Sequence, residues 1–179
     1  MFLNFFKQER KETIVSLKQL IYRPVGWREA IMTFVGAFGG IGTCAFFFCL
    51  YKYPLLIAPY GASAVLIYCA TSVPLAQPRN VIFGHIIASI VGITCYNVLG
   101  GDWYVMALAV ALAILAMMIT GTVHPPAGAT SLVCVMTQTS NYLFILKTII
   151  PGVAILLTFA ILSARIFPGV RPYPHPKKS

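Results

Sequence analysis

The sequence predicts an all-α membrane protein with four full transmembrane helices and two short, broken helices. Of its 179 residues, 59% are hydrophobic and only 9% are charged, and the mean hydropathy is +0.84. A soluble domain of this length could not bury so much apolar surface. Long uncharged runs separate the few charged residues, and a helix crosses a bilayer in roughly 20 apolar residues. If both broken helices also cross, the number of crossings is six.

Residues 1–28 are predicted to form a basic amphipathic helix on the cytoplasmic surface of the membrane. Phenylalanines near its start would anchor it, and lysines further along would face water. The alternative is a solvated basic tail. The segment lacks the apolar core and the small-residue cleavage site of a signal peptide. We therefore expect it to precede the first membrane span as part of the protein.

Positive charge is concentrated at both ends of the chain. Six of the 13 Lys and Arg residues precede residue 29, and four follow residue 164. Because basic residues favour the cytoplasmic side, both termini are predicted to be cytoplasmic and the number of crossings to be even. Contact of these ends with anionic lipid headgroups explains the net charge of +9. The lipid bilayer, and not nucleic acid, is the expected partner.

The predicted transmembrane domain covers residues 29–165 and divides into two halves, about 30–100 and 101–165. Each half is predicted to contain a full helix, a short helix bounded by prolines and another full helix. The full helices are expected at residues 30–50, 81–99, 103–120 and 146–165, and the short ones at residues 60–71 and 126–137. Residues 166–179 form the predicted cytoplasmic tail, which is rich in proline and lysine.

The two broken regions resemble each other. When Pro59 is aligned with Pro126, glycine pairs with glycine, alanine with alanine, and Ser63 with Thr130. The match indicates an internal duplication; chance similarity in an Ala- and Gly-rich chain is the alternative. Re-entrant short helices would give four crossings and parallel repeats, and crossing ones would give six crossings and inverted repeats. Paired broken segments of this kind point to a transporter binding site.

The first turn of each short helix is predicted to bind a small anion. A helix that begins at a proline leaves its first amides without intrahelical partners, and the positive end of the helix dipole favours negative charge there. Two such helix starts would hold an anion without a buried cation. The predicted anion-binding residues are Tyr60, Gly61, Ala62 and Ser63 in the first half and His124, Pro126, Ala127, Gly128, Ala129 and Thr130 in the second.

Two histidines are candidates for the pathway. Histidine is uncommon within membrane spans, so His124 is predicted to gate the pathway or to exchange a proton near neutral pH. The alternative is that its ring caps the short helix or forms a structural hydrogen bond with a carbonyl. His85 either faces the same cavity or forms a hydrogen bond between helices. His175 lies in the tail and is expected to be solvated.

Gln77, Arg79 and Asn80 are predicted to lie on the pathway at the membrane edge. Arg79 is the only arginine between residues 29 and 164. It either attracts anions to the mouth of the pathway or reaches lipid headgroups. Two prolines just before Arg79, at positions 74 and 78, favour the first role, since an anchor does not need a rigid loop.

The residue types do not indicate an enzyme. The chain has four acidic residues in all, with neither a pair of carboxylates nor a nucleophile beside a base. The five cysteines lie in spans without metal-ligand spacing and are interpreted as packing residues. No cofactor and no metal are therefore expected.

The stretches "PYGASAVLIYCATSVPLAQPRNVIFGH" and "HPPAGAT" resemble the HPP family of integral membrane proteins, over about residues 25–165. The resemblance implies four transmembrane helices. Plastid and cyanobacterial members are linked to nitrite transport, so it also implies a transporter or channel for nitrite or a similar small anion. The absence of a Ser-rich transit peptide favours a bacterial inner membrane over a plastid.

Two further expectations follow. Glycines at positions 36, 39, 40 and 42 give the first span a smooth face, which favours a homo-oligomer. The alternative to transport is a membrane interaction or sensor module in which the helix breaks serve only for packing.

Overall fold

A computed structural model of the protein describes residues 25–175, which form six α-helices and no β-strand. The helices are α1 (Trp27–Tyr51), α2 (Pro59–Cys69), α3 (Pro78–Leu99), α4 (Trp103–Thr120), α5 (Pro125–Met136) and α6 (Ile150–Ile166). A 3-10 turn, Pro74–Ala76, precedes α3, and a π-helical turn, Ile145–Ile149, continues into α6. The amphipathic helix predicted for residues 1–28 falls almost entirely outside the described residues.

Within residues 25–175, four helical segments are long and apolar enough to cross a membrane. They are α1, α3, α4 and the continuous segment Ile145–Ile166. The helices α2 and α5 contain 11 and 12 residues, which corresponds to about 16–18 Å and is less than the roughly 30 Å of a hydrocarbon core. The predicted all-α membrane fold, with four full helices and two short ones, is confirmed.

Prolines set where the helices begin. The helices α2, α3 and α5 each carry proline in the first turn, where the missing amide hydrogen costs nothing. Gly121 ends α4 in a left-handed conformation with φ of 61°, which favours glycine. Pro151 cannot donate a helical hydrogen bond, and the helix just before it takes the wider π-helical form.

The last helix of each half packs mainly on the other half. Helix α6 packs against α1 and α2, and α3 packs against α4 and α5. Glycines allow the closest approaches. A Cβ at Gly39 would lie 2.4 Å from the Phe159 ring, and one at Gly40 would lie 2.4 Å from the Tyr68 hydroxyl. The smooth face of α1 is thus used largely within the subunit, and only Gly42 of its four glycines faces open space.

Hydrogen bonds define one end of the bundle, called here the tail end. Arg171 of the tail contacts Glu29 at the start of α1 and the Cys69 carbonyl at the end of α2. The tail also binds the residues just before α3, because the Tyr173 hydroxyl donates to the Ala76 carbonyl at 2.7 Å. Arg79, near the start of α3, binds the last carbonyls of α4. The tail end therefore holds the starts of α1 and α3 and the ends of α2 and α4.

The opposite end holds the ends of α3 and α5, where the Asn97 amide donates to the Ser140 carbonyl at 3.0 Å. The chain thus changes ends in both broken segments, and α2 and α5 run in opposite directions. Of the two topologies that the sequence left open, these contacts fit the one with six passages and inverted halves.

The tail differs from the expectation of a solvated segment. Tyr173 is 6% exposed, and burial raises the pKa of its phenol, so the hydroxyl remains a donor. The backbone amide of His175 donates to Gln77 Oε1 at 3.0 Å, and His175 is half-buried. The local sequence of the tail is rich in proline and charge and does not predict burial. The burial of Tyr173 and His175 depends on contacts with residues much earlier in the chain.

Tyr60 links the start of α2 to the π-helical turn. Its side chain is 0% exposed, and its hydroxyl donates to the Thr148 carbonyl at 2.8 Å. Its ring packs against Gly152, where an added Cβ would lie only 2.3 Å from the ring. Removing the hydroxyl leaves a buried carbonyl without its donor.

We expect Tyr60→Phe to lower the free energy of unfolding by about 1–3 kcal/mol. Thermal unfolding in detergent measures the change. Tyr104→Phe is the matched control, because Tyr104 is 48% exposed and its hydroxyl can bind water in either state. Equal loss in both variants would contradict the role given to the Tyr60 hydroxyl.

Candidate functional site

Four polar side chains meet in the middle of the bundle and form what we call the central polar cluster. Ser63 comes from α2, His85 from α3, and His124 and Thr130 from the start of α5 and its second turn. All four are 0% exposed. Because polar groups are costly inside a membrane protein, their meeting marks this point as the candidate site.

The cluster is a continuous chain of hydrogen bonds. His124 Nδ1 lies 2.8 Å from the Leu75 carbonyl oxygen, and His124 Nε2 lies 2.9 Å from Ser63 Oγ. Ser63 Oγ lies 2.9 Å from His85 Nε2, and His85 Nδ1 lies 2.8 Å from Thr130 Oγ1. Both ring nitrogens of both histidines therefore have a partner.

When both rings are neutral, the Leu75 carbonyl determines which group donates and which accepts in every hydrogen bond of the cluster. A carbonyl can only accept, so His124 Nδ1 carries the hydrogen and Nε2 must accept from Ser63. Ser63 has one hydrogen, so His85 Nε2 must donate to it. His85 Nδ1 then accepts from Thr130. One tautomer of each histidine satisfies every bond.

Glycine lets the two histidines come together. A Cβ at Gly84, next to His85, would lie 2.8 Å from the His124 Cβ and 3.1 Å from the Thr122 carbonyl. The ring centroids of the two histidines are 5.1 Å apart. His85 is also fixed through its backbone, because Ser89 donates to its carbonyl at 2.7 Å. The sequence reasoning identified both histidines but not Gly84.

The first turns of the short helices differ from the expectation in their backbone bonds. The amides of Tyr60 and Gly61 donate to the carbonyls of Ile57 and Ala58 at 3.0 and 3.1 Å, and the amide of Ala127 donates to the His124 carbonyl at 2.9 Å. The acceptors are carbonyls of the residues just before each helix. The prediction considered only acceptors within the helix and therefore did not include them. Anion binding by the helix starts remains a prediction.

Open space lies beside the glycine of each short helix. A Cβ built at Gly61 or at Gly128 would meet no atom within 4 Å, although Gly128 itself is buried. Both glycines stand two residues before the hydroxyl that enters the cluster. Of the remaining predicted residues, Pro126 is buried, and Ala62 and Ala129 are exposed.

Gln77, Arg79 and Asn80 bind backbone carbonyls of neighbouring loops. Gln77 donates to Thr71 at 2.7 Å, Asn80 donates to Val123 at 2.9 Å, and Arg79 donates to Gly121 at 3.0 Å. A cation at the end of α4 also suits the helix dipole. These bonds brace the loops on both sides of His124, a role that the sequence reasoning did not foresee. Their action on an anion remains a prediction.

The alternative in which His124 bonds a carbonyl occurs in the structure, but sequence reasoning did not identify Leu75 as the partner, and it missed the role of the Tyr60 hydroxyl. A signal existed for the hydroxyls of Ser63 and Thr130, because the repeat alignment pairs them and polar residues in apolar helices need partners. Among residues 25–175, no three His, Cys, Asp or Glu side chains form a group that could hold a metal ion.

Known proteins resemble part of this chain. A transmembrane protein of Dictyostelium discoideum is 39% identical over 127 residues, which are 67% of this chain and 44% of that protein. A second one from the same organism is 43% identical over 91 residues, which are 49% of this chain and 29% of that protein. The chain thus spans less than half the length of these two relatives. No solved structure matches it.

The family comparison covers both broken helices and all four residues of the central polar cluster. The family model described as the HPP transmembrane region matches residues 23–174. This chain is therefore an integral membrane protein that belongs to the HPP transmembrane region family.

Proposed function

We propose that the protein transports a small inorganic anion, with nitrite as the first candidate, and that it catalyses no reaction. The observation that carries the proposal is the central polar cluster, a buried and hydrogen-bonded set of hydroxyls and imidazoles between two broken helices. Non-helical backbone at membrane depth is tolerated where it is buried in protein or lines a cavity. Polar residues at that depth mark substrate pathways.

The anion would bind where the two short helices approach the cluster. The hydroxyls of Ser63 and Thr130 and the N–H groups of the two imidazoles are donors that can turn to an anion. The space beside Gly61 and Gly128 would let it reach the first turns of the two short helices. Inverted halves with broken helices support a carrier in which the halves move relative to each other.

Orientation and assembly form part of the proposal. The basic residues at both ends support cytoplasmic termini, and the tail end would then face the cytoplasm. A bacterial inner membrane remains a prediction from the sequence, and the two relatives come from a eukaryote. A homo-oligomer is also proposed, although most glycines of α1 pack within the subunit.

Nitrite uptake into liposomes tests the function. Liposomes with the wild-type protein should take up nitrite at least tenfold faster than protein-free liposomes, which measure passive leakage. Gly128→Leu should reduce the protein-dependent rate at least tenfold, because the leucine side chain fills the space beside the second short helix.

Gly42→Leu is the matched control, because a Cβ at Gly42 also meets no atom within 4 Å and Gly42 lies on α1, away from the cluster. We expect its rate to equal that of the wild type. Wild-type uptake no faster than the leakage rate would overturn transport of nitrite. Equal uptake by the wild type and Gly128→Leu would overturn the proposed site.

A membrane interaction module is the second candidate, favoured by one observation. Every ring nitrogen of the cluster is bonded within the protein, as a packing core would require. A ligand that binds the folded state raises its stability. Nitrite should therefore raise the midpoint of thermal unfolding of a transporter and leave that of such a module unchanged.

A further inference from the structure

We propose that the central polar cluster binds one proton together with the anion, so that the protein is a proton-coupled symporter. The inference rests on the transport function proposed above and adds its coupling ion. It follows from the hydrogen-bond chain Thr130, His85, Ser63, His124 and the Leu75 carbonyl.

When both rings are neutral, every polar hydrogen of the four side chains already forms a hydrogen bond within the cluster. An added proton must therefore go to one of the two ring nitrogens that accept, His85 Nδ1 or His124 Nε2. If His85 takes it, Thr130 must turn its hydroxyl hydrogen away and accept instead. If His124 takes it, Ser63 must do the same. Either way, one proton creates one imidazolium and releases one hydroxyl donor.

A buried imidazolium requires a negative partner, because an unpaired charge in a low-dielectric interior is very costly. Within residues 25–175, neither ring is hydrogen-bonded or ion-paired to a carboxylate. The titratable and charged groups on the helices that form the cluster include Tyr60 of α2, whose ring is 5.6 Å from His85, Cys134 one turn beyond Thr130 on α5, and Arg79 of α3. Arg79 is directed to the end of α4. None of these supplies the missing negative charge near neutral pH.

A small anion meets both requirements at once. It pairs with the imidazolium, and it accepts the hydrogen bond of the released hydroxyl. The proton and the anion therefore favour each other's binding, and the coupling acts equally in both directions. In one cycle a ring nitrogen takes a proton from the solution on one side, and the same N–H bond breaks when the proton leaves on the other side. One proton and one anion cross with no net charge.

Proton uptake on anion binding tests the coupling. The full chain is purified in detergent in weakly buffered solution with a pH dye, and nitrite is added while its binding is followed by calorimetry. We expect about one proton to be taken up for each nitrite bound. The nitrite Kd should rise about tenfold for each pH unit between about pH 6 and pH 8, since the protonated form is the one that binds.

The double variant His85→Gln/His124→Gln should lose both the proton uptake and the pH dependence. His175→Gln is the matched control, because it removes the remaining histidine of the chain, which lies in the tail, and it should keep one proton per nitrite. If the double variant does not fold, the stoichiometry of the wild type and of His175→Gln still decides the matter.

The outcomes separate the two proposals. Nitrite binding without proton uptake, with the same Kd at each pH, overturns the coupling and leaves anion transport standing. Unchanged proton uptake in a folded double variant also overturns the coupling by the histidines. Absence of nitrite binding to the wild type at every pH overturns the proposed anion and the coupling together.

Discussion

Ser63→Ala should lower the free energy of unfolding by about 2–6 kcal/mol and abolish anion uptake. The Ser63 hydroxyl is bonded to His85 Nε2 and His124 Nε2, both at 2.9 Å, and it is the only link between the two rings in the hydrogen-bond chain. Alanine leaves two buried nitrogens without partners. Each unsatisfied buried polar group costs about 1–3 kcal/mol. Equilibrium unfolding in detergent measures the loss, and liposome uptake measures the function.

Ser163→Ala is the matched control for this substitution. Ser163 is also buried, but its hydroxyl donates to the Ala160 carbonyl at 3.0 Å within its own helix. Local bonds of this kind contribute little to stability, so we expect a change below about 1 kcal/mol and normal uptake. A similar loss of stability in both serine variants would show that the Ser63 hydroxyl holds no special position.

Gly92→Ala should produce the second large effect, a loss of about 3 kcal/mol in the free energy of unfolding. A Cβ at Gly92 would lie 2.6 Å from the Ser131 carbonyl oxygen and 2.8 Å from the Ser131 Cα. These are backbone atoms of α5, so no rotamer change can relieve the clash, and α3 and α5 must separate. Overpacking of this type costs about 1–3 kcal/mol and occasionally more.

The same substitution should slow anion uptake. Thr130 precedes Ser131 on α5, and His85 lies on α3, so separation of the helices lengthens the 2.8 Å bond between His85 and Thr130. Gly42→Ala serves as the control, because its Cβ meets no atom within 4 Å and alanine favours a helix over glycine by up to about 1 kcal/mol. Unchanged stability in Gly92→Ala would mean that α3 and α5 lie far enough apart at Gly92 to accept a methyl group.

The sequence by itself determined the fold class and the approximate positions of the helices. Charge-free runs defined the four long helices, because a helix inside lipid satisfies its own backbone polar groups. Prolines located the starts of the two short helices to within one residue, since proline fits the first turn of a helix and disrupts its interior. The double proline after His124 predicted a helix start that the structure places at Pro125. These are local effects, which a short stretch of chain already contains.

Only the tertiary structure decided which polar groups meet. Ser63 is 22 residues from His85 and 61 from His124, and no local pattern determines which partner a buried hydroxyl finds. The same holds for the tail, where Tyr173 binds the Ala76 carbonyl 97 residues away. Close contacts depend on how whole helices approach each other. The glycines that permit this approach have no side chain, so the sequence does not indicate what packs against them. The broken helices were therefore predictable from the sequence, and the hydrogen-bond chain between them was not.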